Sequence, residues 1–596
     1  MFNLVHFLKI FLITIIIPAY IYAQDSGHNS KTWQRLLFFE NGKFKAYHSD
    51  WFYLSKKESL EKEWQLSLKA IRNDLKVGRE GKKFACAFPA RYEFIKKYHP
   101  EFKNVECREF KDWAKELAVK DIYLVYASSY VSNPASMFGH SFLRLSRGGL
   151  GRSSALNDYS VGFMALTNND DNSFTYAVKG ITGGYVGNYE VKPFYMNVGL
   201  YQNAEDRDLW QYKLDLSKEQ VEFFVKALWE LSQNTGFSYY FFDENCSSQL
   251  LKTLQIVNED FNFFDGRSYL FAHPIETIKW AKNSIRKEED LFYPAINKVL
   301  RKRLREMSED ERGRYVLLKS DVTTINEENS VKVLDALIDF YKFESYKSNS
   351  NLDTEKQKRM NEILKRRAAL RVSSNTFSYD INKEEDPILF HDPNSLSLGV
   401  AQIDNRTYGL LEYKLGYQGL TDGPRGHDGF SYIDYLGIKS KFNDKSFKLT
   451  EINLVEINSL APFLLEAQTY SWNFKMDFMR RDFLLDENYL NLGGALGVSV
   501  FRGDSIFFSF FGAEGLIGKD TSRLDPFVKL GLRLRVNNLI LLLENKNIYY
   551  QENILPSLRF SSSYEFENSN VLKLEIENKR GFKDQLEYKA ALQIRF

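Results

Sequence analysis

The chain of 596 residues lacks most features that point to a specific chemistry or partner. Neither charge is in excess, because 80 Lys and Arg residues face 78 Asp and Glu residues and the formal net charge is +2. This balance gives no reason to expect a nucleic-acid partner. HExxH motifs, paired-cysteine zinc spacings, Walker loops and G-x-S-x-G elbows are all missing. We therefore predict neither a bound metal nor a cofactor.

Beyond its N-terminus the sequence also lacks a run of about 18 apolar residues, the length that predicts a membrane-spanning helix. The N-terminus itself has an apolar run over 10–22, preceded by Lys9 and followed by Ala23. This run is too short to cross a bilayer comfortably, so it predicts a signal peptide over 1–23 with cleavage after Ala23. An uncleaved membrane anchor is the alternative.

Cysteine is scarce, since the chain has only Cys86, Cys107 and Cys246. Export to an oxidising compartment favours cysteine pairing. Cys86 and Cys107 lie in one short region, so we predict a local disulfide between them, although the sequence leaves other pairings open. This pairing leaves Cys246 as an odd cysteine, which in an exported protein asks for an explanation.

Hydrophobic patterns divide the remaining chain into regions of different character. Apolar residues at helical spacing over 59–77 indicate a helical N-terminal region, and short strand candidates begin near residue 121. A charge-dense helical stretch follows. We predict a multidomain chain that consists of a signal peptide over 1–23, a helical N-terminal domain over 31–120, an α+β domain over 121–260, a helical connector over 261–372 and an antiparallel β-barrel of about 12 strands over 374–596.

The barrel prediction depends on segments in which apolar and polar residues alternate. Leu530 and Leu532 alternate with Lys529 and Arg533, for example, and the last such segment ends at Phe596. Lipid covers the apolar face of a membrane barrel, while the other face lines a polar lumen. The aromatic C-terminus resembles the recognition signal of bacterial outer-membrane barrels. A soluble β-sandwich is the alternative. The segment 447–457 changes phase once, which indicates a bulge or a turn.

Two segments of the α+β domain carry candidate chemistry. A turn bounded by proline and glycine leads into His140 at the start of a strand, and polar residues up to Asn245 precede Cys246 in the first turn of a helix. A helix N-terminus stabilises a thiolate, and a nearby imidazole accepts the thiol proton. Backbone N–H groups at the same helix start, including that of Cys246, are suited to hold an oxyanion. Such a site attacks acyl carbons.

Each of these residues also has a structural interpretation. A histidine at a strand start is commonly a surface or packed residue. Cys246 shares a helix face with Leu250 and Leu254, which is equally typical of a small buried apolar residue.

Four motifs, NPASMFGHSFLRL (133–145), YAVKGITGGYVGNYEVKPFY (176–195), RDLWQYKL (207–214) and YYFFDENCSSQLL (239–251), together resemble the Lnb N-terminal periplasmic domain family. The order of histidine strand and cysteine helix is similar to the permuted NlpC-like branch of papain-fold cysteine peptidases and acyltransferases. The resemblance implies that Cys246 is the nucleophile and His140 the general base. Asn157, or the neighbouring Asp158, is the candidate orienting residue.

The glycine- and aromatic-rich loop suggests a wall of the substrate site, formed by Gly184 and Tyr185, with Asn245 as a further substrate-binding candidate; a simple turn is the alternative for the loop. The expected protein is a thiol hydrolase or acyltransferase tethered to the outer membrane, with its N-terminal domains in the periplasm. Expected partners are outer-membrane lipid, a cell-envelope substrate (a peptidoglycan peptide or a lipid acyl group) and the barrel assembly machinery. The alternatives are an inactive papain-like assembly or chaperone factor and a transporter gated by its soluble part.

Overall fold

The computed structural model describes residues 27–46, 50–128, 138–149, 154–167, 171, 175, 179–180, 182–241, 244–264, 272–286, 291–347, 353–373, 383–416, 418–423, 425–427, 429–463, 470–480, 488–519, 522–581 and 584–596. These residues form two compact units, one built from residues up to 128 together with 139–295, the other mainly from 296–596. The predicted signal peptide, 1–23, lies outside the described residues. Among the helices of this part of the chain, none has the length and apolar composition needed to cross a bilayer.

The first unit contains nine α-helices and eleven strands within its described residues, besides short 3-10 helices at Gly27–Asn29 and Lys282–Ser284 and a π-helix at Gly199–Ala204. The helices are α1 (Lys31–Leu36), α2 (Leu60–Arg72), α3 (Phe84–Ala87), α4 (Pro89–Tyr98), α5 (Arg108–Leu117), α6 (Phe194–Val198), α7 (Lys218–Asn234), α8 (Cys246–Gln255) and α9 (Pro274–Ala281). The strands are β1 (Phe39–Glu40), β2 (Lys43–Phe44), β3 (Lys76–Val77), β4 (Lys82–Lys83), β5 (Asp121–Ala127), β6 (His140–Ser146), β7 (Tyr159–Leu166), β8 (Tyr185–Pro193), β9 (Leu209–Lys213), β10 (Phe237–Tyr239) and β11 (Leu291–Tyr293).

Seven of these strands form one antiparallel sheet in the order β10-β8-β7-β6-β5-β9-β11. Helix α8 packs against β6 and β7, and α9 packs against β5 and β6. The strands are rich in β-branched and aromatic residues, which suit a pleated and buried surface. Helix α7 begins at a capping box in which Ser217 and Gln220 satisfy each other's backbone N–H groups. The mixed α/β character predicted for this region is confirmed.

Buried charges join the N-terminal helices to this sheet domain. The Arg91 guanidinium lies 3.5 Å from a carboxylate oxygen of Glu63 on α2 and 3.2 Å from one of Glu230 on α7. All three side chains are buried, so removal of one partner would leave an uncompensated charge in the core. The predicted disulfide between Cys86 and Cys107 is present and ties α3 to the start of α5. These contacts connect the helical N-terminal region to the sheet domain within one compact unit.

The sheet domain includes elements beyond residue 260. Helix α9 packs on the sheet, β11 pairs at its edge, and the compact unit continues to Ala295. Strand β11 has only three residues and pairs at the sheet edge with β9. Such a short element leaves almost no periodic signal in a sequence.

The second unit begins with four helices around their own core. These are α10 (Ile296–Arg305), α11 (Glu309–Ser320), α12 (Val331–Lys347) and α13 (Thr354–Ala369). Their buried residues include Leu300, Tyr315, Leu334, Leu337 and Ile363. Charged residues on the outer faces form ion pairs such as Arg303–Asp339, at 2.7 Å. The helical connector predicted from the charge-dense sequence is thus present.

Twelve antiparallel strands complete the chain as a closed barrel. They are β12 (Ser395–Ile403), β13 (Arg406–Lys414), β14 (Ser431–Phe442), β15 (Phe447–Ser459), β16 (Ser471–Arg480), β17 (Asn488–Arg502), β18 (Ser505–Ile517), β19 (Ser522–Val536), β20 (Leu539–Tyr550), β21 (Asn553–Glu565), β22 (Val571–Lys579) and β23 (Gln585–Arg595). Strand β12 closes the ring, because Ser395 is in register with Lys414 on β13 and with Arg595 on β23. The predicted barrel and its strand count are confirmed, and the β-sandwich alternative is excluded.

The two faces of the barrel differ as the alternation predicted. Large apolar side chains are exposed on the outside, including those of Leu398, Leu496, Phe511, Leu524, Leu530, Leu574, Leu592 and Phe596. Ion pairs occupy the lumen, among them Lys439–Glu451, Lys475–Asp477, Lys529–Glu544, Lys546–Glu514 and Lys589–Glu575. The phase change predicted in 447–457 corresponds to register shifts of β15 against both neighbouring strands.

The connection between β13 and β14 folds into the lumen at one end of the barrel. Asp422 lies 2.8 Å from the Arg595 guanidinium and 3.5 Å from the Lys573 ammonium group. The Arg533 guanidinium donates hydrogen bonds to the Leu420 and Asp422 carbonyl oxygens at 2.8 and 3.1 Å. Together with the ion pairs, this inward segment occupies the lumen at that end of the barrel.

A charge on the outer face should weaken the barrel only if lipid covers that face. Leu496 lies at the middle of β17 and is 70% exposed, so we expect Leu496→Lys to lower the barrel's unfolding free energy in phospholipid vesicles by about 2–4 kcal/mol. Leu317 on α11, which is 59% exposed, provides the matched control Leu317→Lys, with an expected change within about 0.5 kcal/mol. Equal effects of the two substitutions on denaturant unfolding would contradict a lipid-facing exterior.

Candidate functional site

His140 is the first residue of β6, and the residue before it explains how the chain enters the strand. Gly139 has φ +92°, and a Cβ atom there would lie 2.5 Å from the Tyr126 ring. Only glycine tolerates both conditions. The His140 backbone pairs with Ala127 on β5, and its ring lies 5.6 Å from the Tyr201 ring between centroids. The predicted histidine position at a strand start is therefore built by a specific turn.

Cys246 is the first residue of α8, as expected, and Asn245 caps the helix. The Asn245 side-chain oxygen accepts hydrogen bonds from the Ser247 and Ser248 N–H groups at 3.0 and 3.2 Å. Its amide nitrogen donates to the Ala272 carbonyl at 2.7 Å, and its backbone N–H donates to the Ser248 hydroxyl at 3.1 Å. The buried Asn245 side chain holds the helix start, and its predicted contact with substrate stays a prediction.

The Cys246 sulfur is enclosed by polar groups. The Ser141 backbone N–H and the Tyr239 hydroxyl both face it, and the Ser247 hydroxyl oxygen lies 3.7 Å away. Within the described residues, the pairing of β6 with β7 covers only Leu143–Leu145, so the Ser141 end of β6 is not paired on that side. This opening lets the strand backbone approach the thiol.

The Cys246 backbone N–H has no hydrogen-bond acceptor among the residues that the structure describes, although the N–H groups of the next two residues, Ser247 and Ser248, donate to Asn245. An unused N–H group next to a nucleophilic sulfur is the donor that an oxyanion requires. The side chain itself is only 4% exposed.

Within the described part of the chain, His140 and Cys246 do not hydrogen-bond to each other. Successive side chains of a strand point to opposite faces. Ser141 faces α9, where its hydroxyl lies 3.3 Å from the Pro274 carbonyl oxygen, whereas the His140 ring packs on Tyr201. The Cys246 sulfur is thus adjacent to the backbone of β6, whereas the His140 imidazole lies on the opposite face of that strand. Tyr201 is close to both, since the Cys246 charge contributes to the raised pKa of its phenol.

Burial sets the protonation of both groups. Burial and the positive charges of Arg207 and Lys192 lower the pKa of the His140 imidazole to about 3. Burial raises the pKa of the Cys246 thiol, although the Ser141 N–H, the Ser247 and Tyr239 hydroxyls and Arg207 act in the opposite direction. At neutral pH the resting site therefore contains a thiol and a neutral imidazole.

Arg207 is a feature of this site that sequence reasoning missed. Its side chain is buried, with hydrogen bonds from its guanidinium to the Ala127 carbonyl at 2.9 Å and to Glu205 at 2.6 Å. A cation at this position disfavours the imidazolium and favours the thiolate. Arg207 begins the motif RDLWQYKL, so the signal was present in the sequence, but it did not reveal where the side chain points.

Asn157 does not approach His140. The pairing of Leu145 with Tyr159 puts Asn157 beyond the far end of β6, about 20 Å along the strand from His140. Asn157 is exposed, and the neighbouring Asp158 binds Arg144 at 3.0 Å in a buried ion pair. We inferred the orienting role of Asn157 from its position at the start of the next strand. Because β6 and β7 are antiparallel, the start of β7 lies beside the end of β6, and this register corrects the inference.

The glycine-rich loop lies against the segment that leads to Cys246. Gly183 has φ +75°, and a Cβ atom there would lie 2.3 Å from the Tyr240 ring. The Gly184 N–H donates to the Lys179 carbonyl at 2.7 Å, and Tyr185 is in register with Tyr239. Gly184 and Tyr185 are therefore one strand away from the tyrosine that faces the sulfur, and their substrate contact stays a prediction.

Three family models match successive parts of the chain. Residues 109–284 match the Lnb N-terminal periplasmic domain, which confirms the resemblance seen in the motifs. Residues 27–98 and 384–595 match two domains of unknown function, DUF7843 and DUF7840. Among curated proteins, none matches the sequence.

Solved structures of outer-membrane barrels are similar to the C-terminal region. The KdgM porin is 10% identical with a TM-score of 0.23, over 34% of this chain and 99% of the porin. The NanC porin is 8% identical with a TM-score of 0.23, over 34% and 100%. Outer membrane phospholipase A from Escherichia coli is 11% identical with a TM-score of 0.22, over 38% and 95%. Scores this low carry no inference about activity.

The protein thus combines an Lnb N-terminal periplasmic domain with a closed 12-strand barrel whose exterior is apolar. A closed barrel satisfies every strand edge, which a position in lipid requires. The protein lies in the outer membrane with its N-terminal domains in the periplasm.

The protonation state of the resting site can be measured from the rate at which iodoacetamide alkylates Cys246. Because the thiol pKa is raised, we expect the second-order rate to keep increasing with pH beyond about pH 8.5, the ordinary thiol pKa. Cys246→Ser should abolish labelling, since the other two cysteines are bonded to each other. A rate that is constant from about pH 4 to pH 7 would instead indicate a preformed thiolate–imidazolium pair and contradict this result.

Proposed function

We propose that the protein is an outer-membrane-tethered thiol enzyme that transfers or hydrolyses acyl groups of the cell envelope, with Cys246 as nucleophile and His140 as general base. One observation carries this proposal: an unpaired thiol at a helix start lies against the backbone of the histidine strand, and its own N–H group has no acceptor among the described residues. A cysteine that is buried only as a small apolar residue would not need the polar groups that surround this sulfur. A nucleophile and an oxyanion donor on one residue suit acyl chemistry.

The reaction begins when the Cys246 sulfur attacks the acyl carbon and the thiol proton moves to the His140 imidazole. The carbonyl oxygen becomes an oxyanion that accepts a hydrogen bond from the Cys246 N–H. When the tetrahedral intermediate collapses, the imidazolium returns the proton to the leaving amine or alkoxide, and a thioester remains on the sulfur. Water or an acceptor amine then attacks the thioester, which releases the acyl product and restores the thiol.

This mechanism requires the start of β6 to move, so that the His140 imidazole leaves Tyr201 and passes the edge of the strand that β7 leaves unpaired within the described residues. Hydrogen bonds of catalytic groups commonly form only when substrate is bound, so the separation in the resting structure is compatible with the role. Arg207 lies close enough to lower the thiol pKa and to disfavour imidazolium, which drives the proton onward to the leaving group.

A second candidate function, a papain-like assembly factor without catalysis, is favoured by the low exposure of Cys246 and by its lack of a hydrogen bond to His140 within the described residues. A transport function has weaker support. The inward segment around Asp422 occupies the lumen at one end of the barrel, whereas conduction requires an open aqueous path.

Acylation by p-nitrophenyl acetate separates the enzyme from the inactive domain. We expect one acetyl group on Cys246, and we expect His140→Ala to slow acylation roughly 100-fold because the general base is lost. His99→Ala is the matched control, since His99 is bound to Glu101 outside this site and its loss should leave the rate unchanged. Equal rates for the two histidine variants, or no acetyl group on Cys246, would contradict the proposal.

A further inference from the structure

A cavity of about 460 Å³ lies between helix α10 and one end of the barrel. It belongs entirely to the second unit, so it is separate from the thiol site. Its lining residues are of three kinds, namely cations, carboxylates and aromatic or small residues. The cations are Lys298, Arg301, Lys302, Arg305, Arg533 and Arg535, and the carboxylates are Glu384, Glu385 and Asp504.

The cations outnumber the carboxylates by six to three. All three carboxylates are already used by two of the cations. Lys298 lies 2.9 Å from Glu385, and Arg535 lies 3.0 Å from Glu384 and 3.3 Å from Asp504. The cavity therefore retains a net positive charge that its own acidic residues do not neutralise.

Arg533 on β19 forms the buried end of this positive surface. Its side chain is 2% exposed, and its guanidinium donates to the Leu420 and Asp422 carbonyl oxygens. No carboxylate of the described residues forms an ion pair with it. Arg305, in the last turn of α10, is exposed at the cavity and likewise forms no ion pair within that part of the chain. A buried guanidinium without a counter-charge favours the binding of an anion.

An aromatic wall lies next to these charges. The Lys298 ammonium and the Arg301 guanidinium lie 5.6 and 5.1 Å from the centre of the Phe430 ring, and Phe501 packs on Phe430 at 5.3 Å between centroids. The cavity thus offers charge on one side and apolar surface on the other.

The topology gives the location of the cavity. The chain enters the barrel at Ser395 and leaves it at Phe596 on the same end, because the number of strands is even. The turn between β17 and β18, which includes Asp504, lies at that end too, since β17 is the sixth strand. The domains before the barrel are periplasmic, so this end faces the periplasm. Phospholipid headgroups of the inner leaflet and soluble phosphate compounds both occur there.

We propose that this cavity binds a phosphate group, carried by a phospholipid headgroup or by a soluble phosphate compound. Arginine is suited to this ligand because its planar guanidinium donates two parallel hydrogen bonds to phosphate oxygens. Arg533 contacts the phosphate at the buried end, and Arg305 and Arg301 contact it from α10. The aromatic wall accommodates the adjoining organic part of the ligand.

Calorimetry on the full-length protein in a non-ionic detergent tests the site with two probes, inorganic phosphate and phosphatidylglycerol in mixed micelles. Arg305→Gln should weaken binding about tenfold or more, as expected for the loss of one charge-assisted contact. Arg305→Lys keeps the charge and should lose only part of the affinity. Lys358→Gln on α13 is the matched control, because Lys358 is exposed and does not line the cavity.

Binding of inorganic phosphate that depends on Arg305 supports a soluble ligand, and Arg305-dependent binding of phosphatidylglycerol supports a headgroup ligand. Absence of binding with both probes would overturn the proposal. Equal affinities of Arg305→Gln and Lys358→Gln would overturn it as well. None of these outcomes depends on Cys246, so the acylation experiment and this one fail independently.

Discussion

The hydrogen-bond ladder between the first and last barrel strands is the constraint on which the organisation of the chain depends. Because Ser395 is in register with both Lys414 and Arg595, no strand edge is left for lipid to satisfy. The even number of strands returns the chain to the side from which it entered. The periplasmic domains and the terminal Phe596 therefore share one side of the membrane, and the thiol of Cys246 faces that compartment.

A second, local constraint builds the candidate site. Asn245 satisfies the first free N–H groups of α8 and so holds Cys246 at the helix start, while Gly139 permits the turn that delivers His140 to β6. The two elements meet at the Ser141 backbone. Burial then keeps thiol and imidazole neutral until substrate replaces the surrounding contacts, which argues for proton transfer during attack rather than before it.

The parts that could be predicted from the sequence are those with local causes. Alternation with a period of two marks lipid-facing and luminal residues directly, and it revealed even the irregularity of β15. The remaining parts depend on pairing between distant segments. Arg91 and Glu230, which are 139 residues apart, join two regions that we expected to be separate domains. The strand register places Asn157 away from His140. Arg207 comes close to His140 only when the chain folds. A single sequence contains no local signal for such contacts.

The central claim is that Cys246 forms a thioester during the protein's work in the envelope. Intact-protein and peptide mass spectrometry of the chain isolated from its own membrane, before and after hydroxylamine, tests this claim most directly. The account predicts a hydroxylamine-labile acyl group on Cys246 of the native chain that is strongly reduced when His140 is replaced by glutamine, because formation of the thioester needs the imidazole as its base. An unmodified Cys246 thiol in both the native chain and that variant would contradict it.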